Sequence, residues 1–218
     1  KLGKVKARLV LDQPFFGVLI CNLETIIDDT INPPTACTNG RFIKYHPEFV
    51  EKCSYEELAF LVCHEIMHVA FQHMCRLGER HHIKWNIATD YVINDLLTNE
   101  GIGKMPEGGL HNPQLVASAG GTSEGVYDLL PDPPPQGNDG NQGSGGDRLF
   151  DSMEQPGSSQ AERSAVEGEI KVLVSQAAQA AKMQGKLSAN MERFVGNALK
   201  PKIDWRDVLR RFVSARAK

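Results

Sequence analysis

The run His64-Glu65-Ile66-Met67-His68 sets two imidazoles four residues apart, with a carboxylate directly after the first. On a helix of 3.6 residues per turn the two rings emerge one turn apart, about 40° offset around the axis, so both can reach one ion. Zinc accepts imidazole nitrogen at roughly 2.0 to 2.1 Å. Glu65 projects about 100° from His64, which makes it a poor ligand but places it to contact a water in an open coordination position. Zinc lowers the pKa of such a water toward about 7 and polarises a carbonyl. A carboxylate that takes a proton and returns it to a leaving amine completes a hydrolytic cycle. Two stacked histidines flanked by Val62, Ile66, Met67 and Val69 would be costly to bury without a ligand, because each ring carries polar nitrogens.

Catalytic zinc usually takes three protein ligands and keeps a fourth position open. His73 stands nine residues after His64, about 180° around the same helix, so it faces away and is expected at the surface. His81 and His82 fall in a polar stretch after Gly78, where a turn would position a ligand poorly. Asp90 is better placed. Its neighbours Trp85, Ile87, Ala88, Val92 and Ile93 draw it inward, and a buried carboxylate needs a partner. That partner is either a metal or an ordinary salt bridge or amide. Asn94, one turn beyond Asp90, could orient a ligand. Tyr127, Tyr91 and His111 are the side chains with a donor suited to stabilising an oxyanion.

The elements that must position these groups are legible in outline. Phe15 to Ile26 mixes aromatic and β-branched residues and reads as a strand; Asn39-Gly40 turns the chain into a second, Arg41 to Tyr45, ended by Pro47. Its segment Phe42, Ile43, Lys44 and Tyr45 could serve as an edge against which a peptide substrate pairs. Ser54-Tyr55-Glu56-Glu57 forms a capping box, predicting a helix from Tyr55 to about Leu77 that carries the two histidines. A second long helix is predicted from about Lys84 to Asn99, ended by Gly101. The expectation is an α+β fold, a small mixed sheet packed on two long helices.

Three regions separate by composition: a catalytic candidate over residues 1–130, a Pro/Gly/Ser-rich flexible loop over 131–157, and a helical tail over 158–218. In the tail, Ser158 or Ser159 can cap a helix to about Gly185, Ser188 another to about Lys200, and Asp204 a third opening at Trp205.

Taken together, the run from Gly40 through the HEIMHVAFQH segment, the run Trp85 to Asn94, Gly109-Leu110, Glu124, Tyr127, Leu130 and Asp204-Trp205 resemble the putative metallopeptidase domain of bacterial and phage proteins, commonly found ahead of a von Willebrand factor A-like domain. The resemblance covers nearly the whole chain. It implies a zincin-like fold, one Zn²⁺ per chain held by His64, His68 and Asp90, Glu65 as general base, and a peptide or protein substrate.

Composition bounds the alternatives. The 218 residues are 41% apolar and 23% charged, ordinary for a globular protein with one sizeable core. The apolar run Phe15 to Cys21 is too short to span a bilayer and no leader is apparent, so no membrane association and a cytoplasmic setting are expected. Five cysteines without a CxxC pair suit reduced buried thiols. A net charge of −3 argues against general nucleic-acid binding; the seven Lys/Arg of Lys200 to Lys218 read as a solvated helix face. The competing whole-protein reading is a zinc-bearing scaffold, slow or silent as an enzyme, that recruits a protein partner.

Overall fold

Pro14 lacks a backbone donor and has its φ fixed near the helical value, so it suits a first helical turn and nothing inside one. It accordingly ends α1 (Leu2–Asp12) and starts α2 (Pro14–Asn22). The computed structural model describes residues 1–133, 152–154, 156–157 and 159–199. Here it overturns the strand predicted from Phe15: only β1 (Glu24–Ile27) is extended. Phe15, Phe16, Leu19 and Ile20 are all buried, so the segment is apolar on most of its circumference, and neither a period of 2 nor one of 3.6 is readable from it.

β2 (Ala36–Thr38) and β3 (Phe42–Tyr45) flank the Asn39-Gly40 turn. Gly40 has φ +96, which the turn demands and glycine adopts without strain; a Cβ there would also press on Ile170 Cδ1 at 3.0 Å. Pro47 then opens α3 (Pro47–Lys52). β3 pairs in parallel with β1, Glu24 opposite Phe42, and antiparallel with β2, Thr38 opposite Ile43. Both edges of Phe42, Ile43, Lys44 and Tyr45 are therefore occupied, and a peptide cannot add there. This corrects the edge-strand expectation, which propensity could not test because it is blind to sheet order.

The helix carrying the histidines is α4 (Tyr55–Ala70). Its first turn is closed reciprocally: Ser54 Oγ accepts from Glu57 N at 3.3 Å, and Ser54 N donates to Glu57 Oε2 at 2.8 Å. Ser54→Ala should lower stability by about 1 kcal/mol. Urea unfolding checks this; an unchanged midpoint would mean that packing alone fixes the start of the helix.

α4 stops seven residues short of its predicted end, at Ala70 rather than about Leu77, and a short α5 (His73–Arg76) follows. α6 (His82–Asn99) comes next and runs to its predicted end, with Gly101 beyond it at φ +65. Then come α7 (Pro113–Ser118), α8 (Ser123–Leu129), β4 (Ser152–Met153), α9 (Gln160–Met183) and α10 (Ala189–Leu199). β4 lies within the predicted loop, yet it pairs in parallel with β2 and buries Met153, completing a mixed four-stranded sheet of order β1-β3-β2-β4. The rest of the Pro/Gly-rich stretch from 134 to 151, and the predicted helix at Trp205 with the basic cluster, lie outside the described residues.

α9 starts at the Ser159 cap and buries Val166, Ile170, Val174, Ala177 and Ala181, a stripe at helical spacing. That stripe joins Phe16, Ile43, Ile66, Trp85, Met191 and Val195 in one apolar core, so the C-terminal helices share the core of the site. The fold is α+β. Among the described residues no helix is long and apolar enough to cross a membrane. None of the five cysteines forms a disulfide among the described residues; Cys37, Cys53 and Cys63 are buried as expected, whereas Cys21 is exposed and Cys75 half-buried.

Candidate metal centre

From Val62 to Ala70 every residue of α4 is buried, so His64 and His68 enter the core together with the apolar residues around them. α6 crosses this helix and brings Asp90 and Asn94, also buried, to the same place. His64 Nε2 and His68 Nε2 approach to 2.9 Å. Asp90 Oδ1 stands 3.6 Å from the first and 3.3 Å from the second. A tetrahedral face with ligand distances of about 2.1 Å has edges of about 3.4 Å. The three atoms thus form a triangle of the size a small cation needs. Their chemistry, two imidazoles and one carboxylate, suits zinc and other first-row divalent ions.

Electrostatics agrees with this grouping. Burial alone would raise the Asp90 carboxyl, but hydrogen bonds and positive charge from the two imidazoles in their protonated form hold it below the usual carboxylate range, and a cation held by the same atoms would keep it ionised in the same way. Asn94 fixes the state of His64. Its Nδ2 donates to the Leu110 carbonyl at 2.9 Å, so its Oδ1 is the atom facing His64 Nδ1, also at 2.9 Å. A neutral His64 therefore carries its hydrogen on Nδ1, which would leave the Nε2 lone pair available to an ion. Glu65, 1% exposed, follows His64 on the helix.

His73 departs most from expectation: it is fully buried, and its Nδ1 lies 3.2 Å from His68 Nδ1. The reason is the break after Ala70. Gln72 takes a left-handed conformation (φ 56, ψ 37), and the angular count along α4 no longer applies beyond it. No glycine or proline marks the break, so the sequence carries no stop signal there. Burial, then Arg76, His68 and His64, hold His73 well below its ordinary 6.5. In the unfolded chain this imidazole takes up a proton below about 6.5, whereas in the folded chain it stays neutral. Stability contributed above that pH should therefore decline as pH falls from about 6.5 toward the lowered folded value. Urea midpoints across this window should fall less steeply in His73→Phe than in wild type; equal slopes would exclude His73 as the source.

The remaining predicted groups are engaged elsewhere. His81 caps α6 by accepting from Lys84 N, and His82 Nε2 faces the Met153 carbonyl at 3.3 Å. The Tyr127 hydroxyl accepts from His81 N at 3.0 Å, and its ring lies 6.2 Å from that of Trp85. His111 Nε2 stands 3.6 Å from Asp95 Oδ1. Tyr91 is half-buried on α6. Tyr127 and His111 are thus engaged with His81 and Asp95 rather than with the three converging atoms. The large cavity of about 590 Å³ also lies off the triangle: it is lined by His73, Ser123, Arg76, Asp95 and Phe194 among others.

Compared with known proteins, the chain finds no match among curated proteins and none among solved structures. One family profile does match, over residues 1–218, and it describes a putative metallopeptidase domain.

Proposed function

The chain belongs to the putative metallopeptidase domain family, and from that premise we propose that it is a zinc-dependent hydrolase of peptide bonds, zincin-like in its site. The observation that carries this reading is the buried convergence of His64 Nε2, His68 Nε2 and Asp90 Oδ1, all within 4.8 Å of one another, beside Glu65. His64, His68 and Asp90 would hold the ion. When bound, zinc supplies Lewis acidity, which polarises a carbonyl and makes a coordinated water acidic near pH 7 or so.

The chain's own residues supply the rest. Glu65 takes a proton from the attacking water on a carboxylate oxygen and delivers it to the departing amine nitrogen. Asn94 keeps the His64 ring in one orientation and tautomer. A cytoplasmic setting, and a von Willebrand factor A-like domain as neighbour or partner, complete the reading.

Metal analysis combined with a broad peptide-library cleavage assay, before and after chelation, tests it. Stoichiometric zinc and chelator-sensitive cleavage support the assignment; a chain that neither contains nor takes up zinc defeats it.

A specific observation favours a second reading, a zinc-bearing scaffold. His64, Glu65, His68 and Asp90 are only 0 to 6% exposed, so a peptide reaches the ion only if covering segments move. Zinc-loaded protein that cleaves nothing in the library would favour the scaffold.

A further inference from the structure

We propose that His73 and Ser123 form a hydrogen-bonded relay that fixes His68 in the tautomer able to hold the metal, which makes His73 a positioning residue. This rests on the metal reading of His64, His68 and Asp90. To bind a cation, His68 Nε2 must offer its lone pair, so the hydrogen of that ring sits on Nδ1. The Nδ1 of His73 faces it at 3.2 Å. Two N–H groups cannot point at each other across that distance, so His73 Nδ1 accepts and His73 carries its own hydrogen on Nε2. There Ser123 Oγ, at 3.0 Å, accepts it.

Direction is thus determined along the whole relay: His68 donates to His73, and His73 donates to Ser123. All three are at most 3% exposed, so bulk water cannot take over either bond.

The relay is also held in place. Trp85 Nε1 donates to the His73 carbonyl at 3.0 Å, and the His68 and His73 rings meet edge to face at 5.2 Å. The left-handed residue Gln72 directly before His73 redirects the chain at this point. A ligating histidine ordinarily passes its second N–H to a carboxylate, a carbonyl or water. A neutral imidazole backed by a hydroxyl does the same task without adding a further buried charge beside Asp90 and Glu65.

Two measurements test the relay: zinc affinity by competition with a chromophoric chelator, and nitrogen NMR of the imidazoles in zinc-loaded protein. The expected spectrum shows His73 protonated on Nε2. His73→Phe should bind zinc about 10- to 100-fold more weakly. His73→Asn, whose Oδ1 can stand where Nδ1 stood, should recover most of that loss.

A His73 protonated on Nδ1 in the loaded wild type overturns the proposal, as do equal affinities for wild type and His73→Phe. Wild type that takes up no zinc defeats the relay together with the metal reading; equal affinities defeat the relay alone. Should His73→Phe fail to fold by circular dichroism, the wild-type spectrum decides by itself.

Discussion

Glu65→Gln should lower peptide turnover by about 10² to 10⁴ while leaving zinc content and fold unchanged. Glutamine keeps the size of the side chain and much of its hydrogen bonding, so the buried volume beside His64 stays filled. What it loses is basicity. A group that cannot take a proton from water cannot return one to an amine, and both halves of the transfer fail together. The site itself should persist, because the atoms proposed to hold the ion belong to His64, His68 and Asp90. Turnover of Glu65→Gln is compared with wild type on any cleaved library peptide, with zinc measured in the same samples. Cleavage by the variant at the wild-type rate would sink the mechanism even with zinc present.

Asp90→Ala should abolish stable zinc retention. The loss should exceed the roughly 10- to 100-fold that follows removal of a supporting residue, because one of the three proposed ligands disappears rather than its orientation. Asp90 is the only one of the three that brings a negative charge, and it approaches both imidazoles, at 3.6 and 3.3 Å. A thermal consequence follows by mass action: zinc at about 100 times its Kd stabilises the wild type by about 2.7 kcal/mol, and the variant should not respond to it. Melting curves with and without added zinc read this directly. His82→Ala is the control, since His82 faces the Met153 carbonyl and should leave binding intact. If Asp90→Ala retains zinc as tightly as wild type and His82→Ala does not, the ligand assignment is wrong.

Chemistry of local origin was legible in the residues. The spacing of His64 and His68, the Ser54 capping box, the Gly40 turn and the stop at Gly101 all depend on groups within about one helical turn of one another, and such short-range geometry survives in any fold. The long helix at Asp90 was equally visible, and its apolar neighbours indicated an inward carboxylate. Its meeting with the two histidines depended instead on how α6 crosses α4.

Tertiary structure decided the rest, for reasons that can be stated residue by residue. The helix over Phe15 to Ile20 was not readable because burial on most sides erases the periodic signal that separates helix from strand. β3 became an inner strand because Glu24–Ile27 and Ala36–Thr38 pair on either side of it, and strand order is a long-range property. Met153, set in a composition that suggests loop, found a place beside β2 in the sheet. His73 illustrates the limit most sharply. Angular counting along a helix put it at the surface, but a single left-handed residue, Gln72, returned it to His68. The sequence by itself determined which side chains could hold a metal and move a proton. The folded chain determined which of their neighbours hold them in place, because burial and hydrogen bonding between α4, α5, α6 and α8 exist only after those helices have packed together.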